Sequence, residues 1–132
     1  MLVNISEVQK VANMFMNAIH EDEIELLNKL YDALKSKTPD EEIDALVEEF
    51  VQDVEEHFST EEAMMREAEF FAYPMHKQEH DMMRKRIEGV REDWKRTKDR
   101  NALAKFLEEV FVPWLKLHVA TMDSVTALHI GD

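Results

Sequence analysis

The chain has no cysteine. Zinc held by thiolates, iron–sulfur clusters and dithiol redox chemistry are therefore excluded, and any metal must be bound through nitrogen and oxygen. Turn formers are nearly missing, with Gly 2 and Pro 3 in 132 residues, too few for the close turns of a small all-β fold. No apolar run reaches bilayer-spanning length, so no membrane is expected. Asn4, Ser6 and Glu7 interrupt the place where a secretory signal would keep its apolar core, and a cytoplasmic protein is expected. Cations are scarce as well: Lys+Arg 16 against Asp+Glu 29 leaves a formal net charge of -13. Such a surface repels phosphate, so nucleic acid is not an expected partner. The one basic stretch, Arg84 to Arg100, is interspersed with Glu88, Glu92 and Asp93. It reads as a solvated helical face whose last turn complements the helix dipole.

What is abundant is Glu, Lys, Leu, Ala and Met, a helix-forming composition on a length that suits one domain, residues 1–132. Ser6 and Gln9 form a capping box for a first helix running to about Lys37, with residues 1–17 as its N-terminal extension. Ile24, Leu27, Leu30, Tyr31 and Leu34 make its apolar stripe. Val8, Val11, Phe15 and Ala18 make a second stripe on another side. It is either a face for a second copy of the chain, giving a homo-oligomer, or an arm folded back on its own domain. Thr38-Pro39-Asp40-Glu41 is a helix start, and the second helix runs to about Glu67 with Ile43, Leu46, Val47, Phe50 and Val54 inward. Phe70 to Tyr73 turn the chain, and Pro74 opens a third helix that reaches Trp94, with Gly89 a weak spot inside it. Asp99 caps a fourth, carrying Leu103, Phe106, Leu107, Val110, Trp114 and Leu117. The fold class is all-α, an up-down-up-down antiparallel four-helix bundle.

Five of the six histidines fall on those inward faces. His57 and Glu61 are i, i+4 on the second helix, and His76 and His80 are i, i+4 on the third, so each pair stacks on one side of its helix. His20 lies on the first stripe. His118 and Asp123 are five apart on the fourth helix, about 140° out of register in a regular helix, so for both to reach one site the helix must widen locally, as in a π-type turn, or end near there. Pro113 removes a backbone donor and crowds the carbonyl of Glu109, so a kink is expected one turn before His118. Any one of these fragments is weak, since a helical HxxxH is commonly a surface pair. Their convergence from four successive helices points to one site. Five imidazoles and two carboxylates match the nitrogen donors and bridging oxygens that a pair of oxygen-reactive iron ions needs. Two ferrous ions against Glu61, Asp123 and one hydroxide come near charge balance, as a dry interior requires.

The pattern His20, His57/Glu61, His76/His80, His118/Asp123 resembles the hemerythrin family in its bacterial single-domain form. The segments His57-Phe58-Ser-Thr-Glu61-Glu62-Ala-Met64-Met65 and Trp114-Leu115-Lys-Leu-His118 are similar to family segments as well. The likeness runs from about residue 18 to 125. It implies two irons with a bridging hydroxide or oxo group. His76, His80 and His118 would hold one, His20 and His57 the other, with Glu61 and Asp123 bridging. It also implies reversible dioxygen binding at the second iron, for oxygen storage, delivery or sensing rather than enzymatic turnover, and an apolar oxygen pocket of Phe58, Trp114, Leu115 and Val119.

Two departures stand out. Tyr73-Pro74 lies closer to His76 than the family's aromatic–proline pair usually does, and Phe70 is then the residue in the usual aromatic place. Glu23, three residues after His20 and on its side of the helix, occupies a position that is commonly apolar. As an extra metal ligand Glu23 would favour the ferric state and turn the site toward oxidase, peroxidase or redox-sensor chemistry. The competing reading sends it to solvent along its aliphatic stem. A third class, storage or structural binding of a metal without oxygen chemistry, uses the same ligands. His129 reads as a tail residue, and the nine methionines, among them Met64, Met65, Met82 and Met83, as core filler.

Overall fold

Residues 1–131 are described in this computed structural model, and every regular element among them is helical. Three long helices, α1 (Met14–Leu34), α2 (Asp40–Glu67) and α3 (Tyr73–Thr97), are followed by a fourth rod over residues 100–130. That rod alternates α and π geometry: α4 (Arg100–Phe106), a π turn (Leu107–Phe111), α5 (Val112–His118), a second π turn (Val119–Asp123) and α6 (Ser124–Ile130). Leu27, Leu30, Ile43, Phe58, Leu107, Phe111 and Leu115 are fully buried between the rods. Each such side chain contributes about 1.5–3 kcal/mol relative to exposure. Phe50 meets Phe111 edge to face at 5.1 Å, fixing α2 against the fourth rod.

Polar contacts tie both ends. At one, Arg100 donates to the carbonyls of Ser36 and Thr38 and to Asp40, while Trp94 and Lys98 both donate to Asp44. At the other, Asn13 donates to the carbonyl of Gly131 at 2.7 Å, and His129 donates to the carbonyl of Ala68 while its ring lies 4.9 Å from that of Phe70. His129 therefore clamps the end of the fourth rod rather than trailing as a tail.

The N-terminus differs from the sequence expectation. The capping box is Asn4 with Glu7, not Ser6 with Gln9, and it closes only a short 3₁₀ turn, Ile5–Glu7. The long helix starts at Met14, where the Asn13 side chain accepts from the Met16 amide. Between them the arm lies along α1. Asn28 accepts from the Leu2 and Val3 amides and donates to the Val3 carbonyl, and Asn17 bonds both amide and carbonyl of Val11. Val3 and Val8 enter the chain's own core with Val11 packed beside them, leaving Phe15 and Ala18 exposed. Of the two readings of this stripe, the arm folded back on its own domain describes Val8 and Val11, while Phe15 remains on the surface. The second helix begins one residue later than expected, with Pro39 at the cap and no side-chain bond from Thr38. Among the methionines, Met65 and Met83 are core residues, whereas Met82 is exposed.

The fourth rod carries the largest correction. Regular α spacing from Leu103 would turn Trp114 and Leu117 inward, but Leu117 is 66% exposed and the buried residues are Phe111, Leu115 and His118. The first π turn explains the shift. The Val112 amide reaches back five residues to the Leu107 carbonyl, so one extra residue is taken up and every later inward position moves by one. Pro113, which has no amide to donate, sits in the first turn of α5 just after it.

Gly89 lies on an exposed face of α3, and a Cβ there would meet nothing within 4 Å. Gly89→Ala is expected to raise unfolding free energy by about 0.5–1 kcal/mol with no change at the site, read from urea denaturation of both proteins.

Candidate metal centre

His20 lies in the second turn of α1, His57 and Glu61 toward the end of α2, and His76 and His80 in the first two turns of α3. His118 closes α5 and Asp123 ends the second π turn. In that turn the Ser124 amide bonds the Val119 carbonyl five residues back, which places Asp123 under His118 as an i+4 residue would be in an α-helix. All seven side chains are buried, and their donor atoms form two groups. Glu61, His76, His80, His118 and Asp123 make one, and His20, His57, Glu61 and Asp123 make the other; within each, all donor atoms lie within 4.8 Å of one another.

Glu61 and Asp123 belong to both groups, and each divides its oxygens between them. Asp123 Oδ1 is 2.9 Å from His76 Nε2 and 3.1 Å from His118 Nε2, while its Oδ2 is 3.0 Å from His20 Nε2. Glu61 Oε1 is 3.3 Å from His80 Nε2, while its Oε2 is 2.7 Å from His57 Nε2 and 3.3 Å from His20 Nε2. This is how two carboxylates bridge a pair of cations.

The donor set fits metal ions on two counts. Glu61 Oε1 and both oxygens of Asp123 are buried without a hydrogen-bond partner, a costly state that a cation relieves. The Nε2 atoms of His76 and His80 each lie 3.1 Å from that of His118. Nitrogens bound at right angles to one ion at about 2.1 Å stand about 3.0 Å apart, whereas tetrahedral binding separates them by about 3.4 Å. The spacing suits an ion of octahedral habit better than structural zinc.

Each imidazole turns Nε2 inward, and four of the five have a partner on Nδ1. His57 donates to Glu23, His80 to Glu62 at 2.9 Å, His118 to Glu79 at 2.8 Å and His76 to Thr126 Oγ1 at 2.8 Å. These bonds fix the tautomer that leaves Nε2 free to bind metal. Arg84 donates to Glu62 as well as to Glu55 and Asp81, so one member of the basic stretch is drawn inward to brace the partner of His80. Sequence reasoning did not find Glu62, Glu79 or Thr126. Their nearness in sequence to Glu61, His80 and Asp123 was the available signal, but it does not tell which neighbouring helix each one faces.

Without metal, burial disfavours charge on His20 and His76, yet the carboxylates of Asp123 and Glu61 outweigh it and raise each to about 9. Burial acts likewise on His57, where Glu23 and Glu61 prevail and hold it well above its ordinary value. His80, where burial prevails over Glu61, is lowered. Glu61 and Asp123 stay well below the usual carboxylate range, because the surrounding imidazoles outweigh their burial.

Phe58 stacks on His80 at 4.1 Å and also lies 5.2 Å from the His57 ring, and Trp114 stacks on His118 at 4.4 Å. Leu115 and Val119 are fully buried core residues. The two aromatic rings thus wall mainly the three-histidine group. Glu23 neither reaches solvent nor joins either donor group: it is fully buried and faces the outer nitrogen of His57.

A family model described as "Hemerythrin HHE cation binding domain" matches residues 13–127. A curated relative from Aquifex aeolicus (strain VF5), named bacteriohemerythrin, is 55% identical over 132 residues, covering 100% of both chains. A solved structure, the crystal structure of wild-type hemerythrin, superposes with a TM-score of 0.84 at 19% identity, covering 100% of this chain and 98% of that one. At 19% identity the structural likeness speaks for the fold alone.

Loading the metal-free protein with cobalt(II) at pH 7 should release protons from His20, His57 and His76, measurable as acidification of a weakly buffered solution. The sign for stability is equally definite. Imidazoles raised from 6.5 to about 9 stabilise the metal-free fold fully below pH 6.5, and that contribution is lost as pH rises through about 9, so the metal-free melting temperature should fall across that interval. Deleting Ala120 converts the second π turn to regular helix and should preserve two-ion binding, whereas one alanine inserted between Lys116 and Leu117 rotates His118 by about 100° and should abolish it, read as cobalt stoichiometry.

Proposed function

The chain belongs to the hemerythrin family, and from that membership we propose that it holds two iron ions and binds dioxygen reversibly at one of them, for oxygen storage, delivery or sensing. The observation that carries this reading is the division of oxygens in Glu61 and Asp123 between two imidazole groups. When bound there, a pair of ferrous ions would supply the two electrons that dioxygen takes up on binding and gives back on release.

The chain's own residues do the rest. His76, His80 and His118 hold the first ion and His20 and His57 the second, with Glu61 and Asp123 shared between them. Having one imidazole fewer, the second position keeps room for dioxygen. Phe58, Leu115 and Val119, all fully buried, and Trp114, stacked on His118, keep bulk water and its protons out of the site. The ligands sit near the start of α1, the end of α2, the start of α3 and the end of the fourth rod, which supports an up-down-up-down order of antiparallel helices within one domain. On this reading the protein is a binding protein rather than an enzyme.

One observation favours a second reading, a di-iron oxidase or peroxidase: a buried carboxylate, Glu23, stands directly behind His57. Anaerobic loading with ferrous iron followed by air decides between them. The expected result is two irons per chain and a visible charge-transfer band that appears with oxygen and disappears when the oxygen is removed. A permanent ferric spectrum with steady consumption of peroxide would replace the carrier by the enzyme, and the absence of any oxygen-dependent band would leave only metal storage.

A further inference from the structure

The outer partners of the imidazoles are unequal. Glu62, behind His80, is neutralised by Arg84, whose guanidinium lies 2.7 Å from it. Glu79, behind His118, has a side chain that is 31% exposed, so solvent screens its charge. Thr126, behind His76, is neutral. Glu23, behind His57, is fully buried; one of its oxygens accepts from His57 Nδ1 and the other has no hydrogen-bond partner. Among the described residues the only ion-pair partner of Glu23 is His57, and no Lys or Arg approaches it. Asp53 responds to this charge: burial first, and then the Glu23 carboxylate, push its carboxyl up to about 6. Asp22 and Glu56, which also face Asp53, add negative charge rather than offset it.

We infer that Glu23 is a positioning residue for the second metal position, orienting His57 through Nδ1 and setting an uncompensated negative charge behind that ring, so that the two positions differ in affinity and in reduction potential. The inference rests on the two-metal reading above. The chemistry is that of a carboxylate–imidazole–metal triad. A carboxylate accepting from Nδ1–H fixes the tautomer with its lone pair on Nε2 and makes that nitrogen a stronger donor. A stronger donor with a full negative charge behind it stabilises the more highly charged state of the ion. In the three-histidine group Arg84 and solvent cancel most of the same effect. The second position, which has fewer imidazoles, thereby regains hold on its ion and is biased toward the oxidised state.

Glu23→Leu removes both acceptor and charge, while Glu23→Gln keeps an oxygen that accepts from Nδ1–H and removes only the charge. Titration of wild type and both variants with cobalt(II), followed by visible absorption, is expected to show two ions bound by the wild type. In Glu23→Leu one ion should weaken by about 10–100-fold with the other unchanged, and in Glu23→Gln that same ion should weaken by less. In the iron-loaded proteins the midpoint potential of one ion should rise in both variants, a shift that a purely structural role would not produce. Zinc-loaded protein labelled with ¹⁵N at histidine should show the His57 Nδ1–H resonance in wild type and Glu23→Gln and its loss in Glu23→Leu. If the leucine variant does not fold, the glutamine variant decides through its potential. Unchanged affinities and potentials beside a two-ion wild type, or equal weakening of both ions, would overturn the role of Glu23 and leave the two-metal reading standing. A wild type that takes fewer than two ions would overturn both.

Discussion

Two carboxylates buried among five imidazoles cannot rest without cations, and the rest of the molecule follows from that constraint. Glu61 and Asp123 are fully buried, and three of their four oxygens lack hydrogen-bond partners. An apolar interior tolerates such a cluster only if charge of the opposite sign is delivered into it. In the metal-free chain, protons on His20, His57 and His76 supply that charge; in the loaded chain, metal ions do. The cluster draws donors from all four rods, so the same interaction that relieves the carboxylates also fixes the axial register of each rod against the others. Apolar packing alone does this poorly, since rows of Leu, Ile and Val can interdigitate at more than one offset.

The fourth rod shows what that register demands. Its inward side must present Leu107, Phe111, Leu115, His118 and Asp123 in one line, at intervals of four, four, three and five residues. Intervals of three and four belong to a regular helix, and the interval of five does not. The second π turn takes up the surplus residue at the site, and the first moves the stripe by one position so that His118, rather than Leu117, faces inward. The first turn ends two residues before Pro113, where regular α hydrogen bonding would fail in any case. One widened turn thus sets the register and takes up the backbone disruption around the proline.

How far the sequence discloses this structure depends on the range of the interaction concerned. The His57/Glu61 and His76/His80 pairs are legible because four residues make one helical turn, and the irregularity at Asp123 is legible because two donors five apart cannot face one site from a regular helix; of a widened turn and a helix end, the structure takes the widened turn. The first π turn is not legible. Nothing in Leu107–Phe111 breaks the apolar rhythm, and counting at 3.6 residues per turn carries past it to Leu117, which is exposed, while Trp114 stays only partly buried against the core. The N-terminal arm fails for another reason. Ser6 and Gln9 satisfy a local capping rule, but Asn28, two turns beyond His20, is what holds the first residues in place, and a local rule cannot weigh a bond made across that distance. Glu23 lies between these cases: helical counting places it inside, whereas its partner lies on another helix.

The partners on the outer nitrogens follow an order along the chain. Glu23 of α1 braces His57 of α2, Glu62 of α2 braces His80 of α3, and Glu79 of α3 braces His118 of the fourth rod. Each of the first three helices therefore supplies both candidate donors and the support for a donor on its successor, so four of the five imidazoles are oriented from a helix other than their own. At the fourth rod the sequence turns back, for Thr126 braces His76 of α3 and not His20 of α1. His20 is left with its outer nitrogen buried and unpartnered. The His20/His57 group then has one imidazole braced by a buried carboxylate and one held only by packing, while the His76/His80/His118 group has all three imidazoles braced. Rigidity and charge are therefore distributed oppositely: the three-histidine group is the more fixed, and the two-histidine group carries the stronger uncompensated charge. On the two-metal reading proposed above, freedom of movement and redox bias would fall together at the ion with fewer protein donors, where an exogenous ligand would have room to bind.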